Sequence, residues 1–197
     1  MAEQRFDLQD IPPTPWKNGG GTTREILCWP PGADMGNFDF RVSVASITQA
    51  GPFSAFPGVD RTIVLLDGDG VWLKGDGVDH RLATRHAPFD FSGDTPLACE
   101  LLGGPSTDFN VMGRRARGHA TVDVIEQTHP LPDSPRGLLL VVQGAWQVGD
   151  GTPLRTGQGL WWTAPSPSQT LTPTTADARL FAVRWAGSSE PAASHSP

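Results

Sequence analysis

Glycine and proline recur too often along this chain for an apolar 3.6-residue repeat to persist over three helical turns, so the sequence reads as strands and turns. There are 23 glycines and 19 prolines in 197 residues. They show no triplet period, which excludes collagen and leaves short apolar runs joined by turns. Phe38 to Ile47 alternates, with Phe38, Phe40, Val42 and Val44 on one face and Asp39, Arg41, Ser43 and Ala45 on the other. Further strands are predicted at 23–29, 62–66, 71–74, 80–84, 97–102, 109–112, 121–126, 138–143, 145–148, 159–163 and 179–185. Such spacing, about ten residues with turn signals between, is that of a sandwich or barrel.

A weak repeat divides the chain. Val64-Leu65-Leu66-Asp67-Gly68 followed by Trp72-Leu73-Lys74-Gly75-Asp76-Gly77 matches Leu140-Val141-Val142-Gln143-Gly144 followed by Trp146-Gln147-Val148-Gly149-Asp150-Gly151, the second copy two residues shorter. In each, a buried strand turns at Gly, returns through Trp and turns again at Gly-Asp-Gly, a hairpin signal. The expected architecture is all-β, a bicupin of two cupin-like β-barrel (jelly-roll) halves. Residues 1–117 form the N-terminal half, 118–186 the C-terminal half and 187–197 a disordered tail, with Leu65 and Val141 on corresponding strands. Residues 130–135 read as an inter-strand loop.

A net charge of −6 and a pI near 5.2 argue against a nucleic-acid binder, which carries a basic face. No run approaches membrane-spanning length and the N-terminus carries no apolar signal stretch, so a cytoplasmic protein with no membrane partner is expected. Cys28 and Cys99 lack C-x-x-C spacing and read as reduced, partly buried thiols.

The five histidines, His80, His86, His119, His129 and His195, form neither H-x-H nor H-E-x-x-H and lie beside no Cys or Glu at ligand spacing. A metal-binding cupin gathers imidazoles and a carboxylate on adjacent strands, so neither metal nor other cofactor is expected. Asp67-Gly68-Asp69-Gly70 fails as a calcium loop because its twelfth position is Val78. Gly19-Gly20-Gly21 is followed by no Lys-Ser or Lys-Thr, and no G-x-S-x-G elbow occurs.

Four stretches carry polar residues where a barrel strand or its mouth would sit. In 15–25 three glycines expose backbone N–H groups beside Lys17, Asn18 and Thr22, which supply a cation, an amide and a hydroxyl; the plainer alternative is a loop with an exposed lysine. Arg41 and Ser43 share a face that is either solvent-exposed or turned into a polar lumen that needs an anion. In 51–61, Gly-Pro and Pro-Gly punctuate a loop anchored by Phe53 and Phe56; Arg61 is either a surface partner of Asp60 or a second cation at the cavity. Asp108, Asn110 and Met112 share a face on which Asp108 reads as the counter-ion of a buried arginine rather than a catalytic base.

Together these stretches resemble the HutD/Ves family. The resemblance rests on Trp-Lys-Asn-Gly-Gly-Gly-x-Thr at 16–23, Phe-Arg-Val-Ser-x-Ala at 40–45 and Gly-Pro-Phe-Ser-x-Phe-Pro-Gly-x-Asp-Arg at 51–61. It extends to Pro-Phe-Asp-Phe-Ser-Gly-Asp at 88–94 and Gly-Pro-x-x-Asp-Phe-Asn-Val-Met at 104–112. These motifs cover most of residues 11–115, and the second half matches only loosely. The resemblance implies a bicupin without the usual cupin metal ligands and a link to histidine utilisation through N-formylglutamate. It also implies a pocket built from Lys17, Asn18, Thr22, Arg41, Ser43 and Arg61.

Arginine forks suit carboxylates, lysine supplies a point charge, and Asn or Ser suits an amide, so residues and resemblance agree on a small anionic metabolite as partner. The competing readings are a metal-independent enzyme for a small carboxylate or amide, with Lys17 or Asp108 as base, and a structural or partner-binding protein. Nothing in the residues decides against a homodimer.

Overall fold

The computed structural model describes residues 3–131, 133–165 and 168–188. In chain order these residues form β1 (Gln4–Asp7), β2 (Thr14–Pro15), β3 (Gly21–Trp29), β4 (Phe40–Ile47), β5 (Gly51–Phe53), β6 (Val59–Gly68), β7 (Val71–Gly75), β8 (Val78–Leu82), β9 (Pro88–Ser92) and β10 (Leu97–Leu101). They continue with β11 (Ser106–Arg114), β12 (Gly118–Ile125), β13 (His129–Pro130), β14 (Arg136–Gln143), β15 (Ala145–Val148), β16 (Leu154–Arg155), β17 (Gln158–Trp162), β18 (Thr170–Pro173) and β19 (Arg179–Gly187). The described residues contain no helix, hence none long and apolar enough to cross a membrane.

The strands form four antiparallel sheets in the orders β5-β10-β7-β8, β2-β3-β4-β11-β6-β9, β1-β17-β14-β19-β12 and β13-β18-β15-β16. Three cores stack these sheets as layers. Leu65, Val71, Leu73, Leu82 and Leu97 fill the space between the first and second sheets. Phe40, Val42, Val44 and Phe109 of the second sheet meet Leu138, Leu140, Phe181 and Trp185 of the third. Val141, Trp146, Leu160, Trp162 and Leu171 join the third to the fourth. The two inner sheets are therefore covered on both sides, which is why β4 is buried along both its apolar and its polar face.

Both copies of the repeat run from an inner to an outer sheet: β6 leads to β7, and β14 leads to β15. Leu65 faces the core between the first two sheets and Val141 the core between the last two. The first Gly-Asp-Gly turns β7 into β8 with Gly75 opposite Val78, and the second leads from β15 to β16. The two tryptophans nevertheless differ. Trp146 is wholly buried, whereas Trp72 turns outward between the cations of Lys74 and Arg81, 3.4 and 4.0 Å from its ring centre.

Several elements depart from the sequence reading. β1 pairs with β17 of the third sheet, so the first strand of the chain joins strands far from it in sequence. His129–Pro130 pairs with β18, so the predicted loop begins inside a short strand. Gly187 ends β19 and the Ser188 amide donates to the Arg117 carbonyl at 2.9 Å; the rest of the predicted disordered tail, 189–197, lies outside the described residues.

Phe40 is fully buried and stacks on Trp185 with ring centres 5.3 Å apart, tying the two inner sheets together. Phe40→Ala is expected to cost about 3–5 kcal/mol, because a ring-sized cavity opens between two sheets that cannot collapse independently. Met35→Ala, at an exposed apolar side chain, should change stability by less than about 0.5 kcal/mol. Urea unfolding of the two variants measures the contrast.

Candidate functional site

The second sheet turns its other face towards the first, and the register of that face builds a site. Arg41, Met112, Arg61 and Phe91 are successive cross-strand neighbours on β4, β11, β6 and β9. Beside that row runs another, Glu25, Ser43, Asn110 and Ile63, and beyond it Thr23, Ala45, Asp108 and Leu65. A bulge between Glu25 and Leu27 permits this. With one extra residue inserted, Thr23 and Glu25 share the face of Arg41 and Ser43, while Leu27 turns into the core between the inner sheets.

These rows border a cavity of about 700 Å³. Its polar lining includes Lys17, Asn18, Thr23, Glu25, Arg41, Ser43, Arg61 and Asn110; Trp16, Met35, Phe53, Phe56 and Met112 supply much of the apolar wall. Five of the six predicted residues thus come together. Arg41 and Arg61 are buried, at 8% and 7% exposure, and Ser43 with them, while Lys17 and Asn18 are exposed at the mouth. Thr22 does not line the cavity. It pairs with Ser46, one residue out of phase with Thr23, so strand alternation turns it to the opposite face.

The two arginines have different surroundings. Arg41 Nε donates to Glu25 Oε2 at 2.7 Å, and its Nη1 donates to Ser43 Oγ at 3.3 Å. Arg61 has no carboxylate partner among the described residues. Its Nη1 donates to the Ser54 carbonyl at 3.1 Å and its Nη2 reaches Asn110 Oδ1 at 3.5 Å. Its Nε is buried without a partner among the described residues. The guanidinium lies over Phe53, Phe91 and Phe56, 4.5, 5.0 and 5.2 Å from their ring centres. Burial, with a smaller contribution from the Arg41 charge, pushes the Arg61 pKa down to about 9. Asp60, one of the partners considered for Arg61, instead pairs with Arg115 at 2.6 Å.

The loop that carries Ser54 and Phe56 over Arg61 is stapled in place by the end of β9. Phe56 N donates to Gly93 O at 2.6 Å, Gly93 N to Val59 O at 2.8 Å, and Gly58 N to Asp94 Oδ1 at 2.6 Å. A Cβ on Gly93 would lie 2.8 Å from both the Phe56 and Val59 carbonyls, so glycine is required there.

Asp108 is not the counter-ion expected of it. It is fully buried, and the hydroxyl of Ser106 donates to its carboxyl, at 3.1 Å to Oδ1. No arginine reaches it among the described residues: it stands opposite Ala45 and Leu65, four residues along β11 from Met112, the cross-strand neighbour of Arg41 and Arg61. Burial raises the Asp108 pKa to about 7, against the lowering effect of Ser106. Asn18 also has a local role, its Oδ1 accepting the Gly20 amide at 3.0 Å. No three of His, Cys, Asp and Glu gather as a metal-holding group among the described residues.

Residues 8–181 match the HutD family model. The chain belongs to the HutD family. It is 43% identical to Protein Ves of Cronobacter sakazakii over 158 residues, 80% of this chain and 85% of that one. HutD from Pseudomonas fluorescens SBW25, 28% identical, superposes with a TM-score of 0.82 over 94% of this chain and all of its own. A cupin 2 conserved barrel domain protein from Leptotrichia buccalis is similar in fold alone. It has 11% identity and a TM-score of 0.58, over 93% of this chain and 96% of that one. This HutD-family chain is cupin-like in its fold.

Asp108 gives the fold a pH dependence of defined sign. Between about pH 4, where an unfolded aspartate titrates, and about 7, the folded chain retains a proton that the unfolded chain releases. Stability from this group is thus complete at low pH and lost as pH rises through 7. Asp108→Asn preserves an acceptor for Ser106 and should unfold at a higher temperature than wild type at pH 8, with the difference vanishing near pH 4. Thermal unfolding across that range measures it.

Proposed function

We propose that this chain binds a small dicarboxylate, N-formylglutamate or a close relative, in the cavity and through that binding modulates histidine utilisation. The fold is taken as a bicupin, with halves at 1–117 and 118–186, of which the first carries the ligand.

The observation that carries this reading is the environment of Arg61. A buried guanidinium without a carboxylate pays a desolvation cost that an anionic ligand offsets. Arg41, Asn110 and Ser43 lie on adjoining positions and can complete a polar cradle, with Lys17 at the mouth for a second carboxylate. The apolar wall excludes water from these contacts and strengthens them. Among the described residues that line the cavity there is neither histidine nor cysteine, which favours binding over nucleophilic catalysis. Family membership adds the association with histidine utilisation.

Calorimetric titration with N-formylglutamate tests the reading. Wild type should bind, and Arg61→Met should bind roughly tenfold to a hundredfold more weakly, as expected for one lost charge-assisted contact worth about 1.5–3 kcal/mol. Arg61→Met should also unfold no more easily than wild type, since it replaces an uncompensated buried charge by an apolar side chain. Unchanged affinity in that variant, or no binding by the wild type, would contradict the proposal. Glu25→Gln should tighten binding several-fold, because it removes the carboxylate that neutralises Arg41.

A further inference from the structure

The four sheets leave eight edge strands among the described residues, and seven of them are short or blocked. β2, β5, β9 and β13 each contain a proline, Pro15, Pro52, Pro88 and Pro130, which cannot donate to an added strand. β16 has two residues, β1 has four with Arg5 and Asp7 among them, and β8 has five with Asp79 and Arg81 among them. These are the usual devices that prevent a sheet from adding a further strand. β12 is neither short nor blocked: its one carboxylate, Asp123, is already paired with Arg184 of β19. Its eight residues, Gly118–Ile125, pair with β19 in unbroken register without a bulge, and none is proline. Half of the backbone groups of such an antiparallel edge strand face away from its single neighbour.

We infer that β12 is the interface through which two copies of this chain pair edge to edge, joining their β1-β17-β14-β19-β12 sheets into one continuous antiparallel sheet. The strand is complementary to itself about Thr121. Antiparallel pairing of two copies around a two-fold axis at Thr121 keeps each face of the sheet on its own side. His119 then stands opposite Asp123 of the second copy, and Asp123 opposite His119 of the second copy, both residues being exposed in the single chain. On the other face Ala120 meets Val122 of the second copy. Ala120, Val122 and Val124 are half-buried residues at the margin of the core between the inner sheets, so pairing extends that core.

Two details agree with this register. Thr121 sits on the axis and is half-buried, so the pairing sets two small β-branched side chains against each other across the seam. Asp123 is held by Arg184 Nη2 at 2.8 Å, which fixes the carboxylate on the face where His119 of the second copy arrives. A register shifted by one residue would turn the core-facing side of one copy to the solvent side of the other. One shifted by two would lose the His119–Asp123 pairs and the Thr121 contact.

Sedimentation velocity on the full chain over a range of micromolar concentrations tests the inference. The wild type should sediment as a reversible dimer. His119→Asp places carboxylates opposite each other at two symmetric positions and should raise the dimer dissociation constant tenfold or more. The double variant His119→Asp with Asp123→Lys restores opposite charges at both positions and should recover most of the wild-type affinity. A wild type that stays monomeric at 100 μM or above, on the order of a weak natural dimer's dissociation constant, would overturn the inference. So would a dimer indifferent to His119→Asp, or an edge occupied by another protein and closed to a second copy. Hydrogen exchange needs no variant. Amides of 118–125 should exchange more slowly at high than at low protein concentration, and concentration-independent exchange there contradicts the pairing.

Discussion

The site depends on one unbalanced charge. Arg61 is carried into the interior by a strand that continues through the fully buried Ile63, Val64 and Leu65, and the described chain supplies it with carbonyl and amide oxygens and three aromatic rings but no carboxylate. Arg41, two strands away, is balanced by Glu25. The contrast explains how a protein with a net charge of −6 presents a cationic interior: its acids lie mainly on the surface, where they pair with other arginines or are solvated. Burial pushes Arg61 down in pKa and pushes Asp108, four residues further along the same face, up. Both are charges denied water, and neither meets the other.

Register places these groups. Cross-strand neighbours on β4, β11, β6 and β9 bring Arg41, Met112, Arg61 and Phe91 into one row. The bulge after Glu25 lets β3 contribute polar residues to the cavity and Leu27 to the core between the inner sheets. Between the third and fourth sheets the space is instead filled by Trp146, Trp162 and Leu171. Packing of the inner sheets through Phe40, Phe109, Phe181 and Trp185 holds the cavity face rigid from behind. A site built on strands in this way keeps its charges apart without a ligand present, which is the condition for preorganised binding.

Much of this was legible in the residues. The alternation of Phe38 to Ile47 already separated Phe40, Val42 and Val44 from Arg41 and Ser43, and the repeat around Gly-Asp-Gly marked equivalent passages from inner to outer sheet. What alternation could not decide was whether a polar face meets water or a lumen, because that depends on the outer sheet laid over it. Thr22 reads as a pocket residue and is not one, because a glycine-rich run hides the phase of the strand that follows. Asp108 shares the face of both arginines but lies four residues along β11 from the position they flank, a separation that only the cross-strand register reveals. The pairing of β1 with β17 carried no local signal, since a four-residue strand finds its partner only in the assembled fold. Met35 at the cavity mouth carried none either.

The central claim, that Arg61 is the receptor for an anionic ligand, is tested most directly by NMR of the arginine Nε–H groups. The Arg61 resonance should be protected from solvent exchange in the free protein, given its burial. Adding N-formylglutamate should shift it to saturation, with Arg41 following through their shared neighbour Met112 and the exposed Arg85 and Arg155 unmoved. A ligand that binds while the Arg61 signal stays in place, or an Arg61 Nε–H that exchanges as fast as that of an exposed arginine, would contradict the account.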